Sequence, residues 1–280
     1  MSRIRIVHRT GYRYGGAGAT ASFNEVRMTP LSTHEQLTMS NRIEISPTPW
    51  QNAYVDYWGT PVLAFEVQEA HHSLRITASS EVDVHRPAEA RESVLAWDEL
   101  ALPEVSDRFC EYLGVSEYTT VGGELMARAA ELSGESATPA AFAAALSSEV
   151  GRRIAVTGSG KPSFHASEAW EKRSGVRQDV AHLLVGSLRS QGVPARFVAG
   201  YLLPDMDLVG VAQRANLHAW VQFWDGAWVG LDPVLGTIPG EGHVEVGYGR
   251  DHHDVMPLSG IFTGGETSET FVDVELTRVA

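Results

Sequence analysis

At 280 residues, with 43% hydrophobic and 20% charged side chains, the chain can bury a full core and reads as an ordinary globular protein of one large or two smaller domains. A formal charge of -13 argues against nonspecific nucleic-acid binding and against anionic membrane surfaces, since both need clustered cations. The single cysteine, Cys110, excludes an intrachain disulfide and a metal site built from several thiolates of one chain. No apolar run approaches the roughly 20 residues of a membrane span, and Met1 to Tyr14 lacks the apolar core of a signal peptide, so a cytoplasmic protein is expected.

Apolar and polar residues alternate in Arg3-Ile4-Arg5-Ile6, Asn41-Arg42-Ile43-Glu44-Ile45, Ala64-Phe65-Glu66-Val67 and Leu74-Arg75-Ile76-Thr77. This period of two, punctuated by Gly15-Gly16, Pro47, Pro49 and Gly59, predicts half-buried antiparallel strands in a sandwich-like domain ending near Pro87. Composition then shifts to Ala, Glu and Leu. Helices are predicted over 121–132 and after the start signal Thr138-Pro139, where Phe142, Leu146 and Val150 recur at four-residue intervals. Thr157 to Ser163 reads as an exposed loop. The next helix carries Val180, Leu183, Leu184 and Leu188 as an apolar stripe and stops at Gly192 and Pro194. Strands are predicted over 196–203, 218–224 and 228–231, and Phe271-Val272-Asp273-Val274-Glu275-Leu276 predicts a last one. The division taken is a β-rich segment over 1–95, then a helical segment and core over 96–280.

His218 and Asp232 lie on the two arms of a hairpin, His-Ala-Trp-Val-Gln-Phe-Trp-Asp-Gly-Ala-Trp-Val-Gly-Leu-Asp-Pro. A three-residue loop, Trp224-Asp225-Gly226, with glycine at a left-handed position, sets Phe223 opposite Ala227 and His218 opposite Asp232 on one face. A two-residue Asp225-Gly226 turn puts them on opposite faces, because a one-residue slip flips every side chain. The three-residue loop is the expectation. An Asp beside a His fixes the tautomer and raises the basicity of the imidazole, the supporting half of a nucleophilic triad.

Several linked motifs then resemble the transglutaminase-like branch of the papain-like cysteine enzymes, in the bacterial subgroup with an N-terminal β domain. They are Gly175-Val176-Arg177-Gln178-Asp179-Val180-Ala181-His182, then Gly192-Val193-Pro194-Ala195-Arg196-Phe197-Val198-Ala199-Gly200-Tyr201, His218-Ala219-Trp220 and Asp232-Pro233. His8-Arg9-Thr10, Tyr12-Arg13-Tyr14, Gly249-Arg250-Asp251 and Asp254-Val255-Met256-Pro257 extend the likeness over nearly the whole length. The resemblance implies an α+β fold: a papain-like transglutaminase core with an N-terminal antiparallel β domain. It also implies His218 and Asp232 as catalytic partners, and a nucleophilic cysteine at position 177, where a helix N-terminus favours a thiolate.

Position 177 is arginine, which stays protonated and cannot attack an acyl carbon. His218 and Asp232 are therefore expected to be a vestigial dyad. Arg177, Gln178 and Trp220 are taken as ligand-binding candidates. Two arrangements of Arg177 compete: an ion pair with Asp232 or another cleft carboxylate that plugs the site, or a free guanidinium beside exposed helix-start N–H groups that receives a carboxylate such as a peptide C-terminus. The plug is favoured. The resemblance makes Cys110 a structural thiol, and Ser174 lacks the acidity of one. His71-His72 and His252-His253-Asp254 offer no metal site, since adjacent histidines on a strand do not share a face. His182 is expected to pack and hydrogen-bond, and Trp220, Trp224 and Trp228 to serve the core more than a ligand wall.

The function expected is a pseudoenzyme that binds a peptide or protein in the inherited cleft, with no cofactor and no metal. The alternatives are an amide-bond hydrolase or acyltransferase using another nucleophile, or an active enzyme of the family carrying a substitution at 177. The resemblance suggests ATP-grasp ligase-type proteins among possible partners.

Overall fold

Alternation at period two turns one side of a strand to water and the other to a core. The computed structural model, which describes residues 1–87, 93–158, 160, 162–265 and 267–280, builds the first part from β1 (Ser2–Tyr14), β2 (Ala19–Val26), β3 (Gln36–Ser46), β4 (Trp50–Val55), β5 (Pro61–Val67) and β6 (Ser73–Val84). Helices follow: α1 (Trp97–Leu100), α2 (Pro103–Arg108), α3 (Cys110–Leu113), α4 (Gly123–Glu135) and α5 (Pro139–Arg153). Then come β7 (Ala155–Val156), α6 (Ala166–Lys172), β8 (Ser174–Gly175), α7 (Arg177–Ser190), β9 (Ala195–Leu202), β10 (Gln213–Ala215), β11 (Leu217–Trp224) and β12 (Trp228–Leu231). The chain closes with β13 (His243–Gly249), a 3-10 turn (His252–Val255), β14 (Leu258–Gly264) and β15 (Ser268–Arg278).

Among the described residues these strands form sheets of order β10-β15-β1-β6-β3, β14-β2-β5-β4 and β12-β11-β9-β13, with β7 and β8 as a short parallel pair. The 13 residues of β1 and 12 of β6 are long enough to serve two neighbours. Near one end, Ile4, Ile6, Val82 and Val84 pack on Tyr201, Val244 and Val246 of the third sheet and on Leu203 just after β9. Near the other, Tyr14, Leu74 and Ile76 pack on Val26, Phe65 and Val67 of the second.

The last strand forms where the alternation predicts it, but its partner is remote. β15 pairs with β1 from Ile4↔Arg278 to Tyr14↔Ser268, β14 pairs with β2, and β10 joins the outer edge of β15. The sheets therefore cut across the linear division at residue 95: β10, β14 and β15 complete the sheets that the first strands begin. Without β15, β1 would be an open edge with bare N–H and C=O groups.

The helical part follows its start signals. Thr138 caps α5 by accepting the Ala141 N–H at 3.2 Å, and Pro139 takes the first turn, where no N–H is needed. The helix expected to carry one apolar stripe, α7, is instead buried on all sides from Asp179 to Arg189. It packs with Phe142, Leu146 and Val150 of α5 and with Phe197, Val221 and Phe223 of the third sheet. Its Gly186 admits the backbone of Thr119 so closely that a Cβ there would stand 2.0 Å from the carbonyl oxygen. Among the described residues no helix is long and apolar enough to cross a membrane.

Candidate active site

The hairpin of β11 and β12 pairs Trp224 with Trp228, so its loop is Asp225-Gly226-Ala227, with Gly226 at φ +74. The loop has the expected three residues but sits one position later, which moves the register by two. Asp232 therefore comes level with Trp220 and diagonal to His218. A shift of two preserves the face, and the pair still meets: His218 Nε2 lies 2.5 Å from Asp232 Oδ2, both side chains being buried.

Asp232 is held from all sides. Its Oδ1 accepts the N–H groups of Val234 (2.9 Å) and Leu235 (3.1 Å), an Asx turn made possible by Pro233, which has no N–H of its own to place. A third residue, His243 at the start of β13, brings its Nε2 to 3.0 Å from the same Oδ2. Burial pushes the Asp232 carboxyl up, but the hydrogen bonds from His218 and His243 outweigh it and hold the group well below the usual carboxylate range. The ionised Asp232 accepts the His218 Nε2 proton, so the lone pair of a neutral His218 lies on Nδ1, which has no partner among the described residues.

His243 was not singled out by the sequence. It carries no local motif, and β12 and β13 are opposite edges of their sheet, so only the folded arrangement of the chain brings it to Asp232. The described residues offer one triple of potential metal ligands, His218, Asp232 and His243. The Gly240 N–H points at His243 Nδ1 (3.1 Å), so that atom is an acceptor and Nε2 carries the proton. A protonated Nε2 donates to Asp232 and has no lone pair for a metal. Burial lowers the His243 pKa against the attraction of Asp232, which keeps the ring neutral. Neither His71-His72 nor His252-His253-Asp254 joins such a group.

Trp220 is not a ligand platform. Its ring is fully buried beneath both imidazoles, with ring centroids 5.9 Å from His218 and 5.3 Å from His243. It forms the floor on which the two histidines rest.

Arg177 does not take the favoured arrangement, the plug. Asp179, at the third helical position, supplies the negative charge that the α7 N-terminus favours and accepts the N–H groups of Val176 (2.8 Å) and Ser163 (2.7 Å). Burial raises the Asp179 pKa against these bonds. Gly175 leaves the space, since a Cβ there would stand 2.7 Å from Asp179 Oδ2. The half-buried Arg177 turns to the loop over the helix start and donates from Nη1 to the Gly158 carbonyl at 3.1 Å. Asp232 is occupied by other donors, and the plugging ion pair is not formed.

Gln178 and His218 line one small cavity of about 20 Å³, with Arg27, Phe197, Tyr201 and His252 also on its wall. Cys110 is exposed on α3 and does not line it. His182 behaves as expected, buried between Tyr118 and Phe197 with Nε2 accepting the His252 N–H at 3.0 Å. The later motif residues are structural: Asp251 accepts the His253 N–H, and Asp254 clasps Arg250.

Residues 4–83 match the family model of the bacterial transglutaminase-like N-terminal region, and residues 126–233 match that of the transglutaminase-like superfamily. A functionally uncharacterized protein of Mycobacterium leprae is 39% identical over 281 residues, covering 100% of both chains. Another from Mycobacterium tuberculosis is 30% identical over 300 residues, covering 98% of this chain and 92% of its own. The solved structure of a candidate cysteine protease from Cytophaga hutchinsonii has a TM-score of 0.81 at 18% identity, over 100% of this chain and 91% of that one. That likeness establishes the papain-like α+β fold.

Proposed function

The chain belongs to the transglutaminase-like superfamily, and from that premise we propose that it is a pseudoenzyme that holds a peptide or protein segment in the cleft beside His218. The observation that carries the reading is the pairing of an assembled His218–Asp232 dyad with an arginine at the first position of α7. A thiolate at that helix start would be favoured by the dipole and would attack an acyl carbon, with His218 as base. Arg177 offers no nucleophile, and the one thiol of the chain is exposed on another helix. What remains is a recognition surface. Gln178, on the cavity wall, presents both a donor and acceptors, and the neighbouring Arg177 adds a cation, a set suited to a peptide's amide groups and terminal carboxylate.

The intact dyad also favours a second reading, in which the chain keeps amide-bond chemistry with another nucleophile. One experiment separates the two: incubate a peptide library with the unaltered protein and with Arg177→Cys, following turnover, acyl-enzyme mass and peptide retention. The pseudoenzyme reading expects the unaltered chain to retain peptides without turnover, and the variant to form an acyl adduct at residue 177. Turnover by the unaltered chain, with loss of activity on alkylation of Cys110, would establish the second reading instead.

A further inference from the structure

Four donors converge on one carboxylate in a way the dyad alone does not require. Asp232 Oδ2 receives His218 Nε2 and His243 Nε2, while Oδ1 is filled by Val234 and Leu235 N–H. His243 is itself fixed at both ends. Its Nδ1 takes the Gly240 N–H, and its backbone carbonyl takes the Arg86 guanidinium, which also ion-pairs with Glu245 at 2.9 Å and Glu35 at 2.9 Å.

We propose that His243 is a positioning residue for His218: by donating its Nε2 proton to Asp232 it fixes the carboxylate in one rotamer and one charge state, and so commits His218 to the tautomer with its lone pair on Nδ1. The logic is one of donors and acceptors. An anionic Asp232 offers acceptors only, so an imidazole facing Oδ2 must bring a proton. His243 can bring one because Gly240 has taken its other nitrogen. With His243 in place the carboxylate has four donors, and neither rotation nor proton uptake is favourable. Without it, Oδ2 keeps one donor, the carboxyl is free to turn or protonate, and His218 loses the constraint that keeps its lone pair on Nδ1. Trp220, packed against both rings, sets their separation but donates nothing to Asp232, as its Nε1 has no partner among the described residues.

The inference rests on the reading that the cleft is centred on the dyad, but its test needs no turnover, so it can fail independently of the proposed function. The measurement is the two-bond proton–nitrogen correlation of the imidazoles in the full-length, 15N-labelled protein at neutral pH. In the unaltered chain, His218 and His243 are both expected as the Nε2–H tautomer; a proton on Nδ1 of His243 would overturn the proposal at once. In His243→Phe, which keeps the ring but no donor, the preference of His218 for Nε2–H is expected to fall at least about tenfold, in line with losing a hydrogen bond to a charged group. His243→Gln, whose amide restores a donor, is expected to recover it. If His243→Phe lowers thermal stability while the His218 tautomer is unchanged, His243 is merely structural and the proposal is wrong.

Discussion

Gly200 lies directly across the β9–β11 ladder from His218, and the ring of Trp220 covers its Cα. A Cβ at this position would stand 2.1 Å from the Val244 carbonyl oxygen and 2.7 Å from the Trp220 ring. The close approach of two strands and one indole is what seats the imidazoles of His218 and His243.

Gly200→Ala is therefore expected to destabilise the protein by roughly 1–3 kcal/mol or more, the range for overpacking a filled core. Urea unfolding would measure it. A change within about 0.5 kcal/mol, typical of an unconstrained surface site, would mean that Trp220 is not wedged against this strand.

Acid should unfold the protein at mild pH. Burial depresses the pKa of His8 to about 3 and of His252 to about 4, and lowers those of His182 and His243 as well. In the unfolded chain each returns towards 6.5. The folded state binds fewer protons, so stability is complete above about pH 7 and falls as pH drops through 6.5 towards 4, by about 1.4 kcal/mol per pH unit for each proton taken up. The steep part of the Tm profile is expected between about pH 6 and 4. A flat profile over that window would contradict the burial of these four rings as neutral groups.

Leu276 tests the return of the chain end to the first sheet. It is fully buried opposite Ile6, within the core shared with Tyr201 and Val244. Leu276→Ala is expected to cost about 2–5 kcal/mol, as for any deeply buried leucine. A near-neutral result in thermal unfolding would show that β15 is not part of the cooperative core.

The local patterns were legible because they arise from neighbours along the chain. Alternation located β1, β3, β5, β6 and β15, and Thr138-Pro139 located the start of α5. Hairpin parity placed His218 and Asp232 on one face even though the loop lay one residue later than expected. The single stripe predicted for α7 understated its burial, because helices and a sheet close on it from segments distant in sequence.

By itself, the sequence determined the strand and helix periods, the family motifs, the face shared by His218 and Asp232, and the arginine at the head of α7. Only the tertiary structure decided that His243 reaches Asp232, that Trp220 lies beneath the imidazoles, that Arg177 bonds the Gly158 carbonyl, and that β15 pairs with β1. The physical reason is that periodicity and turn chemistry act over a few residues, whereas these contacts follow from sheet order and from the closure of long loops, which no local pattern encodes.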